Sequence, residues 1–123
     1  MIEDAAIHKL ATAYQTTTLN VAREYCQHLF LSTLYQRREA DRMLSKGGTA
    51  LRIVYGSPRF SSDLDFSGFG IRQSLIEGVL EDTLSEIERF GIRLELEEAK
   101  TTSGGYLSII HYRFLSYHVE IQL

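Results

Sequence analysis

The sequence has one cysteine, one proline and no apolar run long enough to cross a membrane. The single Cys26 excludes an internal disulfide framework, and its apolar helical setting indicates a buried, reduced thiol. The first residues lack the basic flank and the apolar stretch of a signal peptide. There is also no strongly basic tail, internal repeat or low-complexity segment. These absences favour a cytoplasmic domain without a membrane segment.

The residues that are present are sufficient for one globular domain. Hydrophobic residues make up 44% of the 123 positions and charged residues 24%, with a formal net charge of −3. A chain of this length can bury a core but has no room for a second full domain. The sequence therefore predicts a single domain over residues 1–123.

Apolar residues recur at both helical and strand spacing. Helical spacing over 19–36 and 73–90 predicts two amphipathic helices, the second ended by Gly91. Short apolar or alternating segments predict strands at 43–44, 60–67, 92–96, 106–114 and 117–123. The predicted fold is α/β (α+β), with a mixed β-sheet flanked by helices. Because the chain stops within the last predicted strand, we expect a C-terminal portion to be missing.

A glycine pair follows the first of these strands. At a strand-to-helix junction, Gly47 and Gly48 let backbone amides approach an anion, and the next helix adds its unpaired N–H groups. Lys46 would add a positive charge and Thr49 a hydroxyl. Paired glycines also form ordinary turns, so the pair alone does not decide between a phosphate site and a turn.

Three carboxylates lie on predicted strands. Asp63 and Asp65 alternate with apolar residues and so share one face, where they repel each other unless a cation lies between them. Mg²⁺ is usually held by such carboxylates together with substrate phosphates. Glu120, on the last strand, is the third candidate, and three carboxylates can hold two metal ions. The alternative for all three is a solvated strand face, and the nearby glycine turn favours a site for Asp63 and Asp65.

The segment from Lys46 to Phe66 resembles the central motif of the AbiEii/AbiGii toxin family, a branch of the DNA polymerase beta-like nucleotidyltransferase superfamily. The superfamily pattern is a Gly-Gly or Gly-Ser pair, an acidic-x-acidic strand and a third acidic residue on a later strand. Gly47-Gly48 and Asp63-x-Asp65 match this pattern, and Glu120 stands where aspartate is common. The residues that match the narrower family are Lys46, Thr49, Ala50, Leu51, Arg59, Phe60 and Ser61.

This resemblance implies transfer of a nucleoside monophosphate from an NTP to an acceptor hydroxyl, on RNA such as tRNA or on a protein. Gly47 and Gly48 would hold triphosphate oxygens, and Asp63 and Asp65 would bind one or two Mg²⁺ ions. Glu120 would complete the metal site or deprotonate the acceptor. The further phosphate contacts would be Lys46, Thr49, Arg59 and Ser61. The resemblance also implies a toxin of a toxin-antitoxin or abortive-infection system with a cognate antitoxin, and a C-terminal helical region that this chain lacks.

Two other functions stay open from the sequence. A catalytically incomplete nucleotide-binding or interaction module would bind Mg-NTP without forming a product. A metal-dependent phosphohydrolase or nuclease would use the same carboxylates to activate water. Pyrophosphate release that depends on Asp63 and Asp65 distinguishes nucleotidyl transfer from both.

Overall fold

Both helices and strands occur in the part of the chain that the computed structural model describes, which is residues 2–38, 40, 43–46, 52–53, 56, 60, 64–68, 73–102, 105–114 and 117–122. The helices are α1 (Asp4–Ala13), α2 (Thr18–Leu34) and α3 (Gln73–Glu88). The strands are β1 (Met43–Lys46), β2 (Asp65–Gly68), β3 (Arg93–Thr102), β4 (Gly105–Phe114) and β5 (Tyr117–Gln122). The combination confirms the predicted α/β class.

Helix α2 lies at the centre of the core. Its residues Ala22, Cys26, Phe30 and Leu34 are all fully buried. They recur every four positions, so they form one continuous stripe along the helix. The helix packs against α1, α3 and β5. The burial of this stripe confirms the predicted apolar face and the buried thiol.

Capping interactions define where these helices begin and end. The Thr17 hydroxyl accepts a hydrogen bond from the Asn20 backbone N–H at 3.1 Å, which satisfies a free donor in the first turn of α2. After α3, the Gly91 N–H donates to the Glu88 carbonyl at 3.0 Å, and Gly91 has a φ of 86°. Glycine adopts this left-handed conformation without a Cβ clash. The predicted stop at Gly91 is confirmed.

The strands form two antiparallel arrangements among the described residues. Strand β1 pairs with β2, and the other three strands pair in the order β3-β4-β5. The β3–β4 register shifts between Leu96 and Glu98, as in a β-bulge. One face of the three-stranded sheet contributes Ile110 and Tyr112 to the core, where both are fully buried. The sheet therefore has one face packed against the helices.

A hydrogen bond fixes β1 relative to α2. The Tyr35 hydroxyl donates to the backbone carbonyl of Met43 at 2.6 Å, and Met43 itself is buried. This contact joins the end of α2 to the start of β1 and so sets the path of the chain toward the glycine pair.

None of the helices in the described ranges has the length and apolarity needed to cross a bilayer.

Candidate active site

The β1–β2 ladder joins the two ends of the predicted motif. Lys46, the last residue of β1, is the direct cross-strand partner of Asp65, the first residue of β2. Ser45 and Phe66 form the next pair along the ladder. Directly opposed residues in an antiparallel pair have neighbouring Cα atoms, about 4.5–5.5 Å apart. The chain that enters the glycine pair therefore lies beside the backbone of the second aspartate.

Apolar contacts anchor β2 on both sides of Asp65. Leu64 is fully buried, and Phe66 is half-buried against the core. The Phe66 ring lies 6.5 Å from the ring of Phe30 on α2, measured between centroids. The burial of Leu64 and Phe66 confirms the predicted apolar alternation. The packing of these two side chains against the core therefore fixes the position and register of β2.

An arginine that follows the glycine pair connects three separate parts of the chain. Arg52 is helical, as the helix predicted after Gly48 requires, and its guanidinium forms an ion pair and hydrogen bond with the Glu24 carboxylate on α2. The central carbon of this guanidinium, Cζ, lies 3.6 Å from the ring centroid of Phe60 and 5.7 Å from that of Tyr14. We refer to Tyr14, Glu24, Arg52 and Phe60 as the Arg52 clamp.

The charged pair of the clamp is largely removed from solvent. The Arg52 side chain is 12% exposed and the Glu24 side chain 21%. The Tyr14 and Phe60 rings also contact each other edge to face, at 6.5 Å. Arg52 lies shortly after the glycine pair and Phe60 shortly before the aspartates, so the clamp holds two points in the middle of the motif against α1 and α2. The three residues that contact Arg52 also line a mainly apolar cavity of about 160 Å³.

Glu120 lies in the three-stranded sheet. On β5 it is the direct partner of His111 on β4. The described pairing does not join β5 to β2, so Glu120 and Asp65 occupy different sheets within the described residues. Strand β5 packs against α2, as does Phe66 of β2 through Phe30. Both carboxylate-bearing strands are thus supported by the same helix.

Burial governs the ionisation of two groups in the core. Burial raises the pKa of the Cys26 thiol from its ordinary 9.0 to about 12. Burial also raises the pKa of Tyr112 well above its ordinary value, and the neighbouring Cys26 adds to that shift. A thiol with such a pKa is protonated at neutral pH and is a poor nucleophile. Cys26 therefore belongs to the core and not to the chemistry.

Several predicted site residues lie outside the described residues. They are Gly47, Gly48, Thr49, Arg59, Ser61 and Asp63. For Lys46, Asp65 and Glu120 the structure describes the strand position. No three His, Cys, Asp or Glu side chains cluster as a metal site requires within the part of the chain that is described. The Mg²⁺ ligands named from the sequence thus stay a prediction.

Sequence reasoning did not find the Arg52 clamp. Its members are far apart along the chain, so no local pattern joins them. One signal was present: Arg52 interrupts an apolar segment between Leu51 and Ile53, where a charged side chain needs a partner. The partner, Glu24, lies on α2 close to the buried stripe of that helix.

Helices packed on antiparallel strands, with Lys46 and Asp65 paired across β1 and β2, are consistent with a nucleotidyltransferase-like domain. A family model described as nucleotidyl transferase AbiEii toxin, type IV toxin-antitoxin system, matches residues 29–123. The match covers most of the chain, and the protein belongs to this family of nucleotidyltransferase toxins. Membership in a toxin-antitoxin family implies a cognate antitoxin as partner. No curated protein and no solved structure matches the chain significantly.

Proposed function

We propose that this domain is a Mg²⁺-dependent nucleotidyltransferase that transfers a nucleoside monophosphate from an NTP to an acceptor hydroxyl, on RNA such as tRNA or on a protein. The observation that carries the proposal is the pairing of Lys46 with Asp65. This pairing supports the proposal because Lys46 directly precedes the glycine pair and Asp65 is the second aspartate of the predicted motif, in a chain that belongs to a nucleotidyltransferase family.

In this proposal the glycine turn binds the triphosphate. Backbone N–H groups at Gly47 and Gly48 donate to phosphate oxygens, and Lys46 and Arg59 neutralise negative charge. Thr49 and Ser61 add hydroxyl donors. The Arg52 clamp holds the segment that follows this turn against α2, because Arg52 contacts both Glu24 and Phe60. A fixed turn orients the α-phosphate without reorganisation during the reaction.

The chemical step is an in-line displacement at the α-phosphorus. The acceptor hydroxyl oxygen forms the new bond to phosphorus, and the bond from phosphorus to the bridging oxygen of the β-phosphate breaks. Pyrophosphate leaves with that electron pair. Glu120 accepts the hydroxyl proton as general base. The donor set of Asp63 and Asp65 consists of carboxylate oxygens, which Mg²⁺ prefers, and a metal held there would neutralise phosphate charge and lower the pKa of the acceptor hydroxyl.

The proposal is tested with Asp65→Asn, which keeps the size of the side chain but removes its charge. Binding of each NTP with Mg²⁺ is measured by calorimetry, and transfer is measured as α-phosphate label incorporated into total RNA or protein together with pyrophosphate release. We expect the substitution to lower transfer by at least about 10³-fold, because a metal ligand is lost. The matched control is Asp82→Asn, an exposed carboxylate on α3, which should leave transfer unchanged.

The outcomes separate the competing functions. Transfer by Asp65→Asn at the wild-type rate would refute the proposed role of this residue. Metal-dependent NTP binding by the wild type without any product would favour a binding module. Hydrolysis of NTP without label transfer would favour a phosphohydrolase.

A further inference from the structure

The face of the three-stranded sheet that points away from the core carries a charged groove. On the core side, Tyr112 of β4 is fully buried, and Leu94 of β3 packs against the core. Their sequence neighbours Arg93, Glu95 and Arg113 are exposed. Successive residues of a strand point to opposite faces, so these three side chains lie on the outer face. Together with Leu94 and His111 they line a cavity of about 300 Å³.

Two arginines oppose each other in this groove. Arg93 and Arg113 are direct cross-strand partners. Like charges placed directly opposite each other destabilise a sheet. Neither guanidinium has a hydrogen bond or ion pair to any residue that the structure describes. An anion bound between the two would remove their repulsion.

The chemistry of the groove favours a phosphate as that anion. Guanidinium groups bind phosphate oxygens through paired N–H donors, and two of them here share one opening. His111 is half-buried at the side of the groove and Glu95 is its cross-strand partner. The side chains therefore include two fixed positive charges and one negative charge. Glu95 would repel a bound phosphate and moderates its affinity.

The register places this groove beside Glu120. His111 pairs with Glu95 on one side and with Glu120 on the other, and Arg113 pairs with His118. Strands are about 4.8 Å apart and two residues span about 6.7 Å, so the Arg113 and Glu120 backbones are separated by roughly 8 Å. A phosphate held by the arginines would thus lie within a short distance of the proposed general base.

We propose that Arg93 and Arg113 bind backbone phosphates of a single-stranded RNA acceptor and so deliver its hydroxyl to Glu120. This inference rests on the proposed function, since it takes Glu120 as part of the active site. An RNA strand fits better than a protein, because successive phosphates can occupy an open groove that presents two guanidinium groups. The proposed function assigns the triphosphate of the NTP to Gly47 and Gly48, which follow β1 in sequence.

The test measures RNA binding without NTP or metal. The probe is a fluorescently labelled single-stranded RNA of about 12 nucleotides, within the range that single-strand binding surfaces occupy. Fluorescence anisotropy is recorded over a range of salt concentrations for the wild type and for Arg93→Gln/Arg113→Gln. We expect affinity to fall about tenfold and the slope of log affinity against log salt to decrease by about 1.4, for two lost phosphate contacts.

Two further variants make the test specific. Lys9→Gln/Arg89→Gln removes the same charge from exposed positions on α1 and after α3, and should change the affinity less than about twofold. Glu95→Gln removes the repulsive carboxylate and should tighten RNA binding about two- to fivefold. A thermal melt of each variant checks that the fold is retained.

The outcomes distinguish this inference from the proposed function. No RNA binding by the wild type, or equal binding by the groove variant and the charge-matched control, would overturn the inference even if nucleotidyl transfer is observed. Weaker Mg-NTP binding by the groove variant would assign the arginines to the triphosphate and also overturn it. Groove-dependent RNA binding supports the inference, whereas failure of the wild type to transfer label to that RNA or any other acceptor counts against the proposed function.

Discussion

The Arg52 clamp gives a prediction whose size follows from its burial. In Arg52→Met, the side chain keeps its apolar stem but loses the ion pair with Glu24 and the contact with the Phe60 ring. A charged hydrogen bond contributes about 1.5–3 kcal/mol, and a cation–π contact about 0.5–2 kcal/mol. Because both charged side chains keep some exposure, 12% and 21%, we expect the lower part of this range. The free energy of unfolding should fall by about 2–3 kcal/mol.

The assay is urea unfolding followed by far-UV circular dichroism, with a thermal melt as a second measure. For a domain of this size the melting temperature should fall by about 10 °C. A natural control exists in the same chain: Arg89 pairs with Glu86 at 3.1 Å, but its side chain is 76% exposed. Arg89→Met should cost less than about 0.5 kcal/mol, since exposed ion pairs contribute little.

A double-mutant cycle with Glu24→Gln isolates the interaction between the two charged residues. We expect a coupling energy of about 1–2 kcal/mol. Equal costs for Arg52→Met and Arg89→Met, together with a coupling energy below about 0.3 kcal/mol, would refute the idea that this pair fixes the middle of the motif on α2. If the clamp positions the glycine turn, Arg52→Met should also weaken Mg-NTP binding in protein that is still folded.

Two more predictions concern the core. The thiol pKa is raised from 9.0 to about 12, so Cys26 should not affect stability below pH 9 and should destabilise the fold from pH 9 to about 12, where only the unfolded chain ionises. Above pH 9 the free energy of unfolding should fall by about 1.4 kcal/mol per pH unit because of Cys26. Cys26→Ala should remove this contribution, which is measured from urea unfolding midpoints between pH 8 and 10.5. The same pH dependence in the variant would contradict a raised pKa for Cys26. The buried Tyr112 hydroxyl has no hydrogen-bond partner within the described residues, so Tyr112→Phe should stabilise the fold at pH 7 by about 1 kcal/mol in the same assay. A loss of stability would show that the hydroxyl has a partner.

Local patterns predicted α2 and α3 well and the strands only in part. The helix over 73–90 was predicted because apolar residues recur at helical spacing up to Gly91, where the chain can take a positive φ. Strand β3 extends to Thr102, beyond the predicted end at Leu96. The added part is mostly polar and has no alternating apolar face, so its strand conformation depends on pairing with β4 across the register shift. Such pairing is a tertiary effect that composition does not encode.

In the candidate site, too, some features follow from local sequence patterns and others depend on tertiary pairing. The glycine pair and the two aspartates are neighbours in sequence, so a local pattern together with a family resemblance could predict a site there, and that site stays a prediction. The groove could not, because Arg93 and Arg113 each look like an ordinary outward-facing strand residue. Their opposition comes from the β3–β4 register, and a shift of that register by one residue would turn Tyr112 out of the core. The core therefore enforces the pairing of two like charges, and a sheet that keeps such a pair at its surface has a physical reason to bind an anion there.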